Sequence, residues 1–363
     1  MQKTAPRGKG RQSNMELLRV LAMLMVVTYH VSNRVGATLT LEGFTFSRVF
    51  FMATSLLGDL GNSLFVLISG YFMVESAFRL RRVLRLWAEV FFYSLLFAAL
   101  AALVGGETLG PRTWARVFFP VLSNDYWFAT HYVVFSFFMP FLNRLLHALD
   151  RKGLERLLLA MFVPFSLLRT VLPGGFIGFS NLSMFAFYYC LAAYVRLYPQ
   201  ALRPLSPSRR CFGLAALVLA LHAAYLCLCC LLGGRVPLFT PGRFARMYDV
   251  PQVALAFALF LGFVRLRPRH SRAVNAVASA VFGVYLVHYN IFARDWLEEG
   301  IAALFRGGNV PSPPVAALVL ALLAYAACTL VDLLRQKAVE PLYMRLIDRL
   351  PPVRRELEGV ARR

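Results

Sequence analysis

Arg19 and His30 stand eleven positions apart inside one long apolar stretch of the chain. At about 100° and about 1.5 Å per residue, that offset is three turns plus about 20°, so both side chains lie on one helix face about 16 Å apart. A guanidinium and an imidazole are expensive to bury in lipid, and residues of this kind mark functional sites by default. A neutral imidazole in an apolar setting is the form a general base needs. The guanidinium can hold a phosphate bidentately, or it can snorkel to the interface and pair with Glu16 at i, i+3. A second basic group, Arg79, Arg81, Arg82 and Arg85, follows the second apolar stretch. It offers further charge to an anionic cofactor, although membrane topology accounts for such a run equally well.

The elements that must position these residues are membrane helices. Of 363 residues, 59% are hydrophobic and only 16% charged, and the mean hydropathy is +0.61, outside the range of a soluble domain. Apolar runs bounded by charges and Pro/Gly clusters fall near 17–35, 54–74, 83–104, 126–146, 155–172, 179–196, 211–232, 249–264, 274–294 and 314–334. They predict an all-α polytopic membrane protein, a bundle of about ten transmembrane helices. Alternate connections split the Lys and Arg residues 28 to 10, with Arg19 inside the first span completing the 39. Under the positive-inside rule both termini are cytoplasmic. The net charge of +21 is thereby explained by topology and anionic lipid, and no nucleic-acid partner is expected.

Domain organisation follows as a cytoplasmic N-terminal tail over 1–16, a transmembrane unit over 17–334 and a basic cytoplasmic C-terminal tail over 335–363. The basic, polar start of the chain predicts a retained first helix, not a cleaved signal peptide. The longer outer connections, 36–53, 105–125 and 295–313, are of a length suited to lids or re-entrant loops. Six cysteines lie in or beside apolar runs and are expected to be packing residues, with no disulfide framework and no metal site. No phosphate loop, Ser/His/Asp constellation or internal repeat is present.

Four segments, in order, resemble the integral-membrane acyltransferase-3 family, which includes bacterial surface-polysaccharide O-acetyltransferases. The first is Arg19, ten residues and His30. The second is Ser63 to Phe72, with its Ile-Ser-Gly-Tyr at Ile68 to Tyr71. The third is Tyr126-Trp127-Phe128 with Pro140 to Asn143, and the fourth is Phe282 to His288. The resemblance implies a bacterial inner-membrane enzyme that moves an acyl group, usually acetyl from acetyl-CoA, to a hydroxyl of a surface glycan or lipid-linked acceptor. His30 is then the catalytic base, or the carrier of a transient acyl group, and Arg19, Arg79, Arg81, Arg82 and Arg85 are the candidates for the acyl-CoA phosphates. Ser69, Tyr126, Trp127, His131, Tyr285 and His288 are candidates for the substrate wall. Ser69 with Gly70 reads more readily as a small-residue helix contact, and His288 as an interhelical hydrogen-bond partner. His131, Arg169 and Arg196 have no counterpart in the family pattern and are assigned to the acceptor side. A transporter or flippase is the rival reading, since buried Arg and His serve ion coupling too, but no pair of broken helices in repeated halves points that way.

Overall fold

A computed structural model of the chain describes residues 12–172, 180–205, 207–232, 239–305 and 310–361. Among them every regular element is helical. Helix α1 (Ser13–Ala37) is followed by α2 (Phe46–Met73), α3 (Leu80–Leu103), the short α4 (Pro111–Phe118) and α5 (Trp127–Ala148). Next, α6 (Arg151–Phe162) continues through a π-helical turn, Val163–Leu167, into α7 (Leu168–Val171). Pro164 lies in that turn, where its missing N–H is accommodated by the wider helix. Then come α8 (Asn181–Leu197), a 3₁₀ stretch Pro199–Leu205, α9 (Ser208–Leu232), α10 (Val250–Val264), α11 (Arg272–Ser279), α12 (Val281–His288) and α13 (Ile291–Phe305). The chain closes with α14 (Pro313–Ala338), α15 (Glu340–Arg349) and α16 (Pro351–Ala361).

The protein is a polytopic all-α membrane protein. Each of the ten apolar stretches coincides with a helix or a stack of short helices. By length and composition alone, five described helices can cross a membrane, α1, α2, α3, α9 and α14, and the pair α11–α12 with α13, bent by 77°, makes a sixth if it is one span. The differences from the sequence reading lie in the connections. Helix α2 starts at Phe46, so part of the first outer connection is helix, and the last outer connection holds α13. The last thirty residues carry α15 and α16, and both pack on α3.

Helix α1 is the hub, touching α2, α10, α11, α12, α13 and α14. Its burial leaves the apolar outer faces to α9 and α14, where Leu217, Leu221, Leu231, Leu322, Leu323 and Leu330 are exposed. A bilayer is the solvent that suits such faces.

Candidate active site

Close packing of α2 on α1 fixes the neighbourhood of His30. Gly58 and Gly61 present no side chain to α1. A Cβ on Gly58 would sit 2.6 Å from Tyr29 Cδ1, and one on Gly61 would collide with the Ala22 carbonyl. Small residues at i, i+3 are what allow two membrane helices to approach this closely. Tyr29 is thereby held, and with it the adjoining His30 ring, 4.9 Å away between centroids.

The second side of His30 is built by α12. Gly283 lies against Asp332 of α14 so closely that any Cβ would strike its carboxylate. This contact seats α12 deep in the bundle and carries its last residue, His288, to within 5.4 Å of His30 between ring centroids. Tyr289, at the break after α12, packs on His30 at 5.1 Å. His288 Nδ1 lies 2.6 Å from the Val284 carbonyl, which only accepts, so Nδ1 carries the proton and the lone pair belongs to Nε2. That Nε2 is buried and has no hydrogen-bond partner. Two imidazoles with centroids at this separation can be joined by one hydrogen bond or one bridging water when their nitrogens are turned to each other.

The break between α12 and α13 is held by Asn290. Its Oδ1 accepts from Phe292 N at 3.0 Å, and its Nδ2 donates to Tyr126 Oη at 2.6 Å, tying the break to the start of α5. Tyr285 stacks on Tyr289 at 5.4 Å and meets Tyr126 at 6.2 Å. Its hydroxyl accepts from Phe128 N at 3.3 Å. The Tyr-Leu-Val-His segment therefore presents a wall of rings beside His30.

A cavity of about 200 Å³ runs between α1, α2, α3, α5, α11 and α12, with Arg19, Asn62, Ser69, Tyr132, Ser279 and Tyr285 in its lining. The lining holds both Arg19 and Tyr285, which stands one turn before His288, and includes neither His30 nor His288. A second cavity of about 150 Å³ shares Leu86 and Tyr132 with the first and contains Arg79, Arg82 and Asn143. Arg19 is bonded to Glu16 at 2.7 Å.

Helical spacing divides the basic run. Arg79 and Arg82, three apart, border the second cavity, whereas Arg81 and Arg85, four apart, turn to α15. Arg81 grips both oxygens of Asp348 at 2.6 and 3.0 Å, and Arg85 pairs with Glu340 at 2.7 Å. The Arg81 hydrogen bond holds the Asp348 carboxyl below the usual carboxylate range. Behind this contact lies a buried charge cluster. Arg335 meets Asp332 at 2.7 Å, Glu89 at 3.1 Å and Glu340 at 3.1 Å, and Tyr93 donates to Asp332 at 2.8 Å.

The remaining sequence candidates are distributed as follows. Ser69 accepts from Tyr132 at 3.2 Å on the cavity wall. Trp127 and His131 pack on each other at 5.9 Å, with His131 Nδ1 2.6 Å from the Trp127 carbonyl, and the lining of the two cavities does not include them. Arg169 lies over the Tyr248 ring at 3.8 Å, and Arg196 is paired with Glu75. Residues that the sequence reading did not place at the site are Arg34, Tyr289, Asn290 and Glu298. Arg34 carried a usable signal, since it falls four residues after His30 on the same helix face.

A family model described as an acyltransferase domain matches residues 12–333. No curated protein and no solved structure matches the chain.

Proposed function

This chain belongs to the acyltransferase family whose model spans residues 12–333, and we propose that this membrane acyltransferase takes acetyl from cytosolic acetyl-CoA and esterifies a hydroxyl of a surface glycan or lipid-linked acceptor. The setting is a bacterial inner membrane with both termini cytoplasmic, an orientation that the excess of Lys and Arg in alternate connections supports. Residues 17–334 form the catalytic unit, and 1–16 and 335–363 flank it on the donor side.

The observation that carries this reading is the cavity lined by Arg19 and Tyr285, together with the position of Tyr285 one helical turn before His288, whose ring lies 5.4 Å from that of His30. Arg19, Arg79 and Arg82 hold the phosphates of the donor, and the pantetheine arm lies along α1 past Ser69. The hydroxyl oxygen attacks the thioester carbonyl while His30 takes its proton. The carbon–sulfur bond breaks, and the proton passes to the departing CoA thiolate. His288, with its proton fixed on Nδ1, turns its Nε2 lone pair toward His30 and orients that ring. Positioned general-base catalysis contributes about 10²–10⁴ in rate.

The test is release of thiol from acetyl-CoA by the purified protein in proteoliposomes, together with the mass of the ester formed on acceptors of native membranes. His30→Ala is expected to abolish both while insertion and thermal unfolding stay near wild type. Arg19→Ala is expected to raise the half-saturating acetyl-CoA concentration. Near wild-type transfer by His30→Ala would end the proposal, and recovery of acetylated His30 from a quenched reaction would replace the base by a covalent carrier.

A further inference from the structure

Helix α1 runs on for seven residues past His30, and Arg34 is the one charged residue in that extension. At i, i+4 from His30 it occupies the same helix face about 6 Å farther from Arg19. Its side chain is only 10% exposed. One edge of the guanidinium is used, with Nε donating to Glu298 Oε1 at 2.9 Å. Nη1 is buried and has no partner. A desolvated guanidinium N–H without an acceptor is costly, more so than a neutral group.

The carboxylate that reaches Arg34 comes from α13, and Glu298 is itself half exposed. An anionic oxygen at the protein surface therefore reaches this guanidinium. Glu298 is shared with Arg294, 3.9 Å away, so its charge is divided between two cations. The end of α1 opposite the donor arginines thus holds a guanidinium nitrogen without an acceptor, four residues from the proposed base. Base and guanidinium are both met by a ligand that carries a hydroxyl close to an anionic group. The hydroxyl gives its hydrogen to His30, and the anion accepts from Nη1 of Arg34 in a charge-assisted hydrogen bond.

We propose that Arg34 is the specificity residue of the acceptor site and that it selects acceptors bearing a carboxylate or phosphate next to the acylated hydroxyl. The inference rests on the acyltransferase reading for its name, acceptor, but the binding it specifies is measurable without turnover. Three probes with the same tail and ring are titrated calorimetrically into the full chain in nanodiscs: hexyl β-D-glucoside, hexyl β-D-glucuronide and hexyl β-D-glucoside 6-phosphate. At least one anionic probe is expected to bind about tenfold tighter than the neutral one, and the two anionic arms distinguish carboxylate from phosphate. Arg34→Gln is expected to bring the three probes to parity. Arg34→Lys, which keeps the charge, retains part of the preference and shows that the site is still folded. Equal binding of all three probes by the wild type, or a preference that survives Arg34→Gln, would overturn the inference. Thiol release from acetyl-CoA, followed in the same preparation, reads the acyltransferase proposal separately: its absence beside a clear anionic preference would strike the donor chemistry and leave the Arg34 site standing.

Discussion

Replacing His288 by leucine separates catalysis from stability, because the two effects have opposite signs. The imidazole is 5% exposed, and its Nε2 lies buried without a partner. An unsatisfied buried polar atom costs about 1–3 kcal/mol, and the Nδ1 bond to Val284 that leucine would forgo returns about 0.5–1.5 kcal/mol. Leucine has similar bulk and adds apolar contact with the Tyr285 and Tyr289 rings. The net effect on folding is therefore between neutral and about 2 kcal/mol of stabilisation. At about 2–4 °C per kcal/mol, this is no loss and up to several degrees gained in the thermal midpoint. The effect on rate has the opposite sign. If the Nε2 lone pair orients His30, its loss removes up to the whole contribution of a positioned base, about 10²–10⁴, which is about 3–5 kcal/mol of activation free energy. Because the two rings act as one unit, His30→Ala with His288→Leu is expected to be hardly slower than His30→Ala alone. The assay is thiol release in proteoliposomes beside thermal unfolding of the same preparations. A His288→Leu protein that is stable and turns over within about threefold of wild type would refute the reasoning, as would full additivity in the double variant.

Three other outcomes follow from the packing. Arg79→Ala and Arg82→Ala are each expected to raise the half-saturating acetyl-CoA concentration about tenfold, the loss of one charge-assisted phosphate bond, whereas Arg81→Ala and Arg85→Ala leave it within about threefold; kinetics with acetyl-CoA varied would show a reversed order if the basic run is divided otherwise. Arg335→Met strips the guanidinium from Glu89, Asp332 and Glu340 and should lower unfolding stability by about 3–5 kcal/mol, with an unchanged denaturation midpoint counting against a structural role for the cluster. The Asp348 carboxyl ionises more readily in the folded chain because Arg81 donates to it, so its stabilisation is complete above the usual carboxylate value of about 4 and disappears as pH falls through the lowered value. A nitroxide label at Leu346 should accordingly become mobile only under strong acid, while an Asp348→Asn version is mobile at every pH. An immobile label in that version would remove the ion pair from the docking of α15.

Legibility in the sequence followed the range of the interactions. The shared face of Arg19 and His30 is a property of helical period alone, and the ten apolar stretches follow from the thickness of a bilayer. Both are visible without tertiary knowledge. Pairing of His30 with His288 was visible only as two segments of a family pattern, because the contact depends on Gly283 meeting Asp332, a match of shapes between helices distant in the chain. Division of the basic run was hidden for the same reason: the carboxylates that claim Arg81 and Arg85 stand on α15, more than 250 residues onward. A reader of the C-terminal residues sees a basic tail, since the two acids that matter are outnumbered by arginines. Arg34 is a different kind of omission. Its spacing from His30 was readable, but an arginine near the outer end of a span is taken for an interfacial anchor unless its burial is known.

The docking of α15 also sets a schedule for biogenesis. Arg81 and Asp348 are 267 residues apart, which at about 5–20 residues per second is roughly 15–50 s of synthesis. Throughout that interval Arg79, Arg81, Arg82 and Arg85 of the nascent chain are without these carboxylates and can be held by anionic headgroups of the surrounding leaflet. Only when α15 emerges do Glu340 and Asp348 withdraw two of the four from lipid, so this face of α3 is completed by a segment made much later.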